Sequence, residues 1–532
     1  MADRAGQVIR RGWPLLFAGG LHALAFAPGP LPVWLLPLIQ VLALALLAGA
    51  VWRASGPRAA AVRGWWFGAG TFAVGFYWIF ISLHVYGEMA VWLAGLAVVL
   101  LAAALAVLPA LGMALARRLA GPGSGGLGFV AAFAGGWAGT EWVRGWIFTG
   151  FPWLNAGYAH VDGPLSGYAP VLGVHGVALA AAVVAGAFAL AACGRGPARV
   201  RAGAAGLIVL ALGAGLSVAR WGIEPAGRPI SLRLVQGNVE QSNKFDPNLI
   251  LDTLQRHLAM STQPSGVAGF SPDLVVLPET AIPLFQDQLP APLWQQWIDA
   301  AGAQGTALAT GIALHTPGPD GGSRYTNSVI GFTGDADPND LVNGRVPYRY
   351  DKAHLVPFGE FVPTGFRWFV NAMVMPMGDF DRGAKRQQPF AIAGQHIAFN
   401  ICYEDVFGEE LLPALRPGPN GEPGATLLAN VSNLGWFGDS WALPQHLRIA
   451  RMRSLELGRP SIRATNTGVT GVIDSRGRVQ AVLPTHAAGV LDTVVQGTTG
   501  WTPYARWGNA AALTLIAMCL AGAGLRSRVR FR

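Results

Sequence analysis

Runs of roughly 20 apolar residues recur along the first 220 positions of this 532-residue chain, and one more stands near its end. At 1.5 Å per residue, about 20 helical residues cross the ~30 Å hydrocarbon core of a bilayer. The runs lie at about 13 to 28, 31 to 50, 65 to 83, 89 to 115, 126 to 148, 166 to 192, 203 to 220 and 507 to 525, so eight transmembrane helices are expected. Composition agrees, with 52% of residues apolar and only 13% charged, against about 25% charged in a soluble domain. The first run follows Arg10 and Arg11 and ends Ala25-Phe26-Ala27, which mimics a signal peptide. Pro28 comes directly after it and a second run begins at once, so the segment is read as retained.

The short loops set the orientation. Arg4, Arg10 and Arg11 precede the first run, Arg53, Arg58 and Arg63 separate the second from the third, and Arg117 and Arg118 follow the fourth. Arg195, Arg199 and Arg201 separate the sixth from the seventh, and Arg526, Arg528, Arg530 and Arg532 follow the eighth. The alternate loops, near 28 to 31, 84 to 88 and 149 to 165, hold no Lys or Arg. Basic loops face the cytoplasm; both termini are therefore expected there, and the hydrophilic stretch from 221 to 505 on the opposite face. This divides the chain into a membrane domain at 1–220, an extracytoplasmic domain at 221–505, and an eighth span with a basic tail at 506–532. The net charge of +9 is thereby explained without a nucleic-acid partner.

Cys193, Cys402 and Cys519 are too few and too widely spaced for a disulfide framework or a zinc site. With no dinucleotide-binding glycine fingerprint either, neither metal nor cofactor is expected. Charges at the edge of a span are costly and ask for a role. Glu141 and Arg144 stand three apart on a helix, as a structural ion pair or as part of a site. The following loop, Thr149 to Tyr158 with Trp153 inside it, reads as an interfacial aromatic belt or as one wall of an acyl-chain groove.

Between 221 and 505 the pattern becomes short β-rich runs divided by turns. Strands are expected at 231–236, 273–278, 307–312, 327–330, 396–401, 426–431 and 470–473, with helices at 247–260, 290–303 and 443–457. Such alternation makes a mixed αβ layered domain. Glu279, Lys352 and Cys402 each follow a strand-like run, where a fold can aim side chains into one cleft. Together they suit acyl transfer through a thioester: a thiol nucleophile, a carboxylate to take its proton, and an ammonium to stabilise the oxyanion. Singly, the cysteine also reads as a small buried hydrophobe, the glutamate as a helix N-terminal carboxylate, and the lysine as a surface charge. Cys–His catalysis through His354 or His446, a membrane-anchored amidase using water, and a transporter with an inert receptor domain are competing readings. The scattered ionisable residues of the spans, His22, His84 and His175 among them, show no inverted repeat that favours transport.

The contexts Pro278-Glu279-Thr280, Asp351-Lys352-Ala353-His354 through Gly359-Glu360, and Ile401-Cys402-Tyr403-Glu404 resemble the nitrilase superfamily with its Glu-Lys-Cys triad. Val235-Gln236-Gly237-Asn238, Asn430-Val431-Ser432-Asn433, Trp436 to Ser440, Gln445-His446 and Ala464 to Thr470, with the motif from Glu141 to Trp153, narrow the resemblance to its membrane-embedded branch, the apolipoprotein N-acyltransferases. The resemblance implies an αββα sandwich beside the eight spans, in the bacterial inner membrane with its catalytic domain on the periplasmic face. It implies a phospholipid acyl donor, a diacylglyceryl-modified apolipoprotein as acceptor, and a ping-pong reaction through Cys402. In it Glu279 is the base, Lys352 the oxyanion stabiliser, and Glu360 and Glu404 supporting carboxylates. Phe245, Tyr403, Trp436 and Trp153 are expected substrate contacts, and the expected assembly is a monomer. Where the family commonly reads Lys-Trp-Asp, this chain has Lys244-Phe245-Asp246, which keeps an aromatic wall but loses an indole N–H. Trp368, Phe369, Met373, Met375 and Met377 form an apolar arm, either core or a lipid-facing lid.

Overall fold

The computed structural model describes residues 12–27, 29, 31–121, 126–194, 196–318, 321–365, 367 and 379–529. The apolar arm from Trp368 to Met377 lies outside them, as do Arg4, Arg10, Arg11, Arg195, Arg530 and Arg532.

The first 220 residues fold into helices α1 (Pro14–Leu24), α2 (Leu36–Trp52), α3 (Pro57–Gly75), α4 (Val91–Leu105), α5 (Val107–Leu119), α6 (Gly126–Arg144), α7 (Ala169–Cys193) and α8 (Pro197–Ser217). Among the described residues, four helical stretches are long and apolar enough to cross a bilayer: Val33–Trp52, Val91–Leu119, Pro164–Cys193 and Pro197–Ser217. A fifth is counted if α3 and the segment Ile79–Tyr86, bent by 56°, form one broken span. The remaining runs also hold helices, but α1 is only 11 residues long, and α6 is diluted by glycines and carries Glu141 and Arg144. The third and seventh runs differ in position: their helices begin at Pro57 and Pro197, so Arg58 and Arg63, and Arg199 and Arg201, expected in loops, lie inside the first turns. Proline suits the first helical position because its missing N–H has no partner there in any case.

Exposed leucines recur every four residues along α2 at Leu38, Leu42 and Leu46, and Val99, Leu100, Leu111 and Leu115 continue this apolar exterior on α4 and α5. Water would oppose so large an apolar surface; lipid accepts it. Inside the bundle small residues let backbones approach. A Cβ placed on Gly112 of α5 or Gly136 of α6 would stand 2.5 Å from the carbonyl oxygen of the other.

The hydrophilic stretch builds two large facing sheets, beside a two-stranded one of Glu224–Pro225 and Thr498–Thr499. The first holds β1 (Ile230–Gln236), β2 (Leu274–Val276), β3 (Ile282–Phe285), β4 (Ala307–Pro317), β5 (Ser323–Phe332) and β6 (Tyr348–Asp351). The second holds β7 (Phe390–Ile392), β8 (Gln395–Ile401), β9 (Leu427–Ser432), β10 (Ser461–Thr465), β11 (Gly471–Ile473) and β12 (Val479–Val482). β13 (Gly489–Val495) returns to the edge of the first, giving the order β13-β1-β2-β4-β5-β6 with β3 beside β4; the second runs β12-β11-β10-β9-β8-β7. β1, β2 and β4 are parallel, as are β8, β9 and β10, so their carboxyl ends gather at one rim of each sheet.

Alternation decides what each strand buries. Leu232, Leu234, Leu274 and Val276 of the first sheet pack against Ile397, Phe399, Leu427, Ala429 and Val431 of the second. Each Leu, Ile, Val or Phe among them, fully withdrawn from water, contributes about 1.5–3 kcal/mol. The opposite face of the first sheet, through Val235, Val275 and Leu308, is covered by α9 (Ile250–Thr262) and α10 (Ala291–Gln304) with Leu254, Trp294 and Ile298. The second sheet, through Ala398 and Leu428, is covered by Leu457 of α11 (Ala442–Leu457) together with Leu411, Leu412 and Leu415 of the short helix Gly408–Leu415. This is the αββα sandwich expected, followed by the apolar α12 (Ala510–Val529). One apolar cluster joins the two halves: Trp153, Tyr158, Leu165 and Val177 pack with Tyr403, Phe407, Leu443 and Met452.

Candidate active site

Glu279, Lys352 and Cys402 each emerge just beyond the carboxyl end of a strand, β2, β6 and β8 in turn. Glu279 sits in a tight turn where Thr280 has φ +52°, and β4 passes so close that a Cβ on Gly311 would stand 2.6 Å from the Glu279 Cα. The alternative of a helix N-terminal carboxylate falls, because the chain enters β3 after this turn.

Lys352 Nζ donates to Glu360 Oε1 at 2.9 Å and to Glu279 Oε1 at 3.4 Å. Asn327 Nδ2 bridges the same two oxygens, at 2.8 Å to Glu279 and 2.7 Å to Glu360. The second oxygens are also held, Glu279 Oε2 by the Asn433 backbone N–H and Glu360 Oε2 by that of Val356, both at 2.8 Å. Lys352 is 1% exposed, which rejects the surface-charge reading. Burial works against its charge, but Glu360 and Glu279 outweigh it and hold the ammonium well above its usual pKa.

Cys402 has φ +53°, a left-handed conformation that costs a non-glycine residue about 1–3 kcal/mol and persists only where the surroundings hold it. Its carbonyl accepts from Asn430 Nδ2 and from His446 Nε2, each at 3.2 Å. Burial raises the thiol pKa and the Glu279 carboxylate adds to the rise, while Lys352 and the Asn433 backbone N–H oppose it. The resting thiol is therefore protonated, and attack requires a group to take the proton.

Glu404 does not join this cluster by contact. Its Oε1 accepts from the backbone N–H groups of Ala353 and His354, and its Oε2 from that of Ile401 and from the Tyr350 hydroxyl. It thus ties the residues after Lys352 to the residue before Cys402. Burial raises its carboxyl to about 7, against those hydrogen bonds and Lys352. Glu141 and Arg144 approach to 3.8 Å; Glu141 also accepts from the Ala156 N–H, and Arg144 donates to the Phe151 carbonyl. They fasten the aromatic loop.

The expected aromatic contacts are dispersed. Tyr403 donates to the Gly150 carbonyl at 2.8 Å, and Trp153, 3% exposed, stacks on Tyr403 and His446. Trp436 meets Tyr86 edge-on while its carbonyl accepts from Ser82. Phe245 is 43% exposed. The two histidines have other partners: His354 Nδ1 faces Glu410 at 3.0 Å, and His446 Nε2 is engaged with the Cys402 carbonyl.

Three site residues had no role assigned from the sequence, although Lys244 and Asn433 stand inside its motifs. Asn327 and Asn433 order the carboxylates, and Lys244 Nζ donates to the Glu279 carbonyl at 3.0 Å. Burial lowers Lys244 to about 8, against the pull of Glu279 and Cys402. For Asn327 the available signal was polarity where a buried strand calls for apolar residues, in Asn-Ser-Val-Ile.

The chain matches the apolipoprotein N-acyltransferase N-terminal domain over residues 18–187 and the carbon-nitrogen hydrolase family over residues 232–504. A curated apolipoprotein N-acyltransferase of Bordetella bronchiseptica is 54% identical, covering 98% of this chain and 98% of that protein. One of Ralstonia nicotianae is 45% identical, covering 99% and 97%. A solved structure of a CN-hydrolase superfamily protein from Xanthomonas campestris aligns at 20% identity and a TM-score of 0.37, over 56% of this chain and 97% of that one. By its full-length identity to these relatives, the chain belongs to the apolipoprotein N-acyltransferases, the membrane branch of the nitrilase superfamily.

Proposed function

We propose that this enzyme N-acylates lipoproteins in two half-reactions through a thioester on Cys402, with a phospholipid as donor and the α-amine of a diacylglyceryl-cysteine as acceptor. In the first, Cys402 Sγ gives its proton to Glu279 and bonds to the ester carbonyl carbon. The carbon–oxygen bond to the glycerol breaks, and the lysophospholipid oxygen leaves with the proton. In the second, the amine attacks the thioester carbonyl and yields a proton to Glu279. The sulfur–carbon bond breaks, and the proton returns to Cys402. Lys352 stabilises the oxyanion in both steps, with Glu360 holding it in place. Glu404 supports the loop that presents Lys352. Phe245 and Trp436 contact the donor, and Tyr403 and Trp153 back the nucleophile.

The observation that carries this reading is the position of the Glu279–Lys352–Glu360 cluster and Cys402 beside the apolar cluster that runs into the membrane helices. Donor and acceptor are both confined to a bilayer, so a site at its edge replaces a three-dimensional search by lateral diffusion and orientation. The proposed topology follows from the arginine loops: eight spans with 1–220 and 506–532 in the inner membrane, 221–505 periplasmic, and both termini cytoplasmic; the enzyme is read as a monomer. Enzyme charged with phospholipid in the absence of acceptor tests it. A diacylglyceryl peptide with a free N-terminal amine should discharge the acyl group, and its N-acetylated form should not. Discharge by both peptides would instead favour hydrolysis by water.

A further inference from the structure

Helix α11 carries two consecutive polar residues with almost no exposure, Gln445 at 2% and His446 at 0%. Gln445 serves the membrane-side half. Its Oε1 accepts from the indoles of Trp78 at 3.1 Å and Trp153 at 2.8 Å, and its Nε2 donates to the Gly75 carbonyl at 3.3 Å. His446 serves the nucleophile. Its Nε2 lies 3.2 Å from the Cys402 carbonyl oxygen and its Nδ1 2.8 Å from a nitrogen of Arg463. The Trp153 indole lies over the imidazole at 5.4 Å and 14°.

The chemistry of these partners fixes the proton. A guanidinium only donates and a carbonyl only accepts. Nδ1 must therefore accept from Arg463, and Nε2 must carry the hydrogen that reaches Cys402. A doubly protonated ring would set an N–H against the Arg463 N–H, and the other neutral tautomer would lose both hydrogen bonds. The charged groups against the ring are Arg463 on β10 and Asp405 in the turn after Cys402. Asp405 pairs with Arg463 and stands 3.8 Å from Nε2. Burial, reinforced by Arg463, keeps the ring well below the ordinary histidine pKa.

We propose that His446 is a positioning residue for the nucleophile: as an Nε2–H donor oriented by Arg463, it holds the carbonyl of Cys402 and thereby the left-handed backbone that presents the thiol. The role rests on the reading that Cys402 carries the acyl group. Asn430 shares the carbonyl, but His446 is the donor that also touches Trp153. The seating of the membrane helices and the aim of the nucleophile are thus linked through neighbouring residues of one helix.

The test is single-turnover acylation of the full-length enzyme by dioleoyl phosphatidylethanolamine in detergent micelles. His446→Phe fills the space and can stack on Trp153 but donates nothing, whereas the side-chain amide of His446→Gln can replace the donor. His446→Phe should lower the maximal acylation rate about 10²-fold, the scale of a small misplacement of a reacting group, with the half-saturating lipid concentration within about threefold of wild type. His446→Gln should recover at least about tenfold of that loss. An acylation rate for His446→Phe within threefold of wild type, or an equal defect in both variants, would overturn the positioning role. Cys402→Ala is run beside them: if it still acylates, the nucleophile assignment fails, whereas an inert Cys402→Ala with a fast His446→Phe removes only the role of His446. Should His446→Phe not fold, nitrogen-15 NMR of histidine-labelled wild type decides, the signal being assigned by its loss in His446→Gln. A ring protonated at Nε2 and not titrating between about pH 5 and 8 supports the proposal, and an Nδ1–H tautomer or a titration in that range overturns it.

Discussion

The ammonium of Lys352 lies 2.9 Å from Glu360, closer than the 3.4 Å that separates it from Glu279. The proposed base therefore has the weaker hold on the cation, and Glu360 takes the stronger one.

Lys352→Met keeps the aliphatic stem and leaves two buried carboxylates bridged only by Asn327. Removal of one partner of a buried ion pair costs about 3–5 kcal/mol, and loss of oxyanion stabilisation slows acylation by about 10²–10³. Glu360→Gln retains an acceptor for Lys352 and should slow acylation by less than this. Thermal unfolding in detergent with single-turnover acylation checks the order; a more severe defect in Glu360→Gln would reverse the assignment.

Glu404 is read as a brace, so Glu404→Gln should lose stability along with activity. The substitution turns an amide NH₂ toward donors that a carboxylate satisfied, leaving a buried N–H unpaired at about 1–3 kcal/mol. Measured unfolding should shift accordingly. An inactive Glu404→Gln with unchanged stability would indicate a direct chemical role.

Lys244 loses its charge as pH rises through about 8, while Lys352, held above its usual value, keeps its own. If the Lys244 charge steadies Glu279 and the developing thiolate, acylation should fall above that pH by about tenfold per unit. Lys244→Arg keeps the charge well beyond this range and should carry the plateau higher. A pH–rate profile identical in wild type and Lys244→Arg would place the limb on another group.

The orientation is checked with cysteines introduced at Val200 and Gly322, in a background where Cys193 and Cys519 are replaced by alanine. A membrane-impermeant thiol reagent applied to intact, outer-membrane-permeabilised cells should label Gly322→Cys and spare Val200→Cys. The reverse pattern would put the active site on the cytoplasmic side.

Much of this was legible in the sequence because periodicity and strand ends are local properties. The parallel strands ending at Val276 and Ile401 were visible from their apolar runs, and with them the positions of Glu279 and Cys402. The start of α3 at Pro57 was not, because Arg58 and Arg63 resemble a loop until the chain's own proline sets the first turn. The bridges made by Asn327 and Asn433, the reach of Lys244 to the Glu279 carbonyl, and the packing of Trp153 on His446 depend on segments far apart in the chain. Such contacts have no local signature, since only the closed sandwich and its seat on the membrane helices bring them together.

The covalent intermediate is the central claim, and intact-mass analysis of the purified enzyme incubated with phospholipid alone tests it most directly. Wild type should gain the mass of one acyl group, mapped to Cys402 by peptide sequencing and released by hydroxylamine as a thioester. Glu279→Gln should acquire it about 10²–10⁴ times more slowly, and Cys402→Ala not at all. Lipoprotein N-acylation by Cys402→Ala, or product formed by wild type with no acyl adduct trapped at any time, would contradict the mechanism.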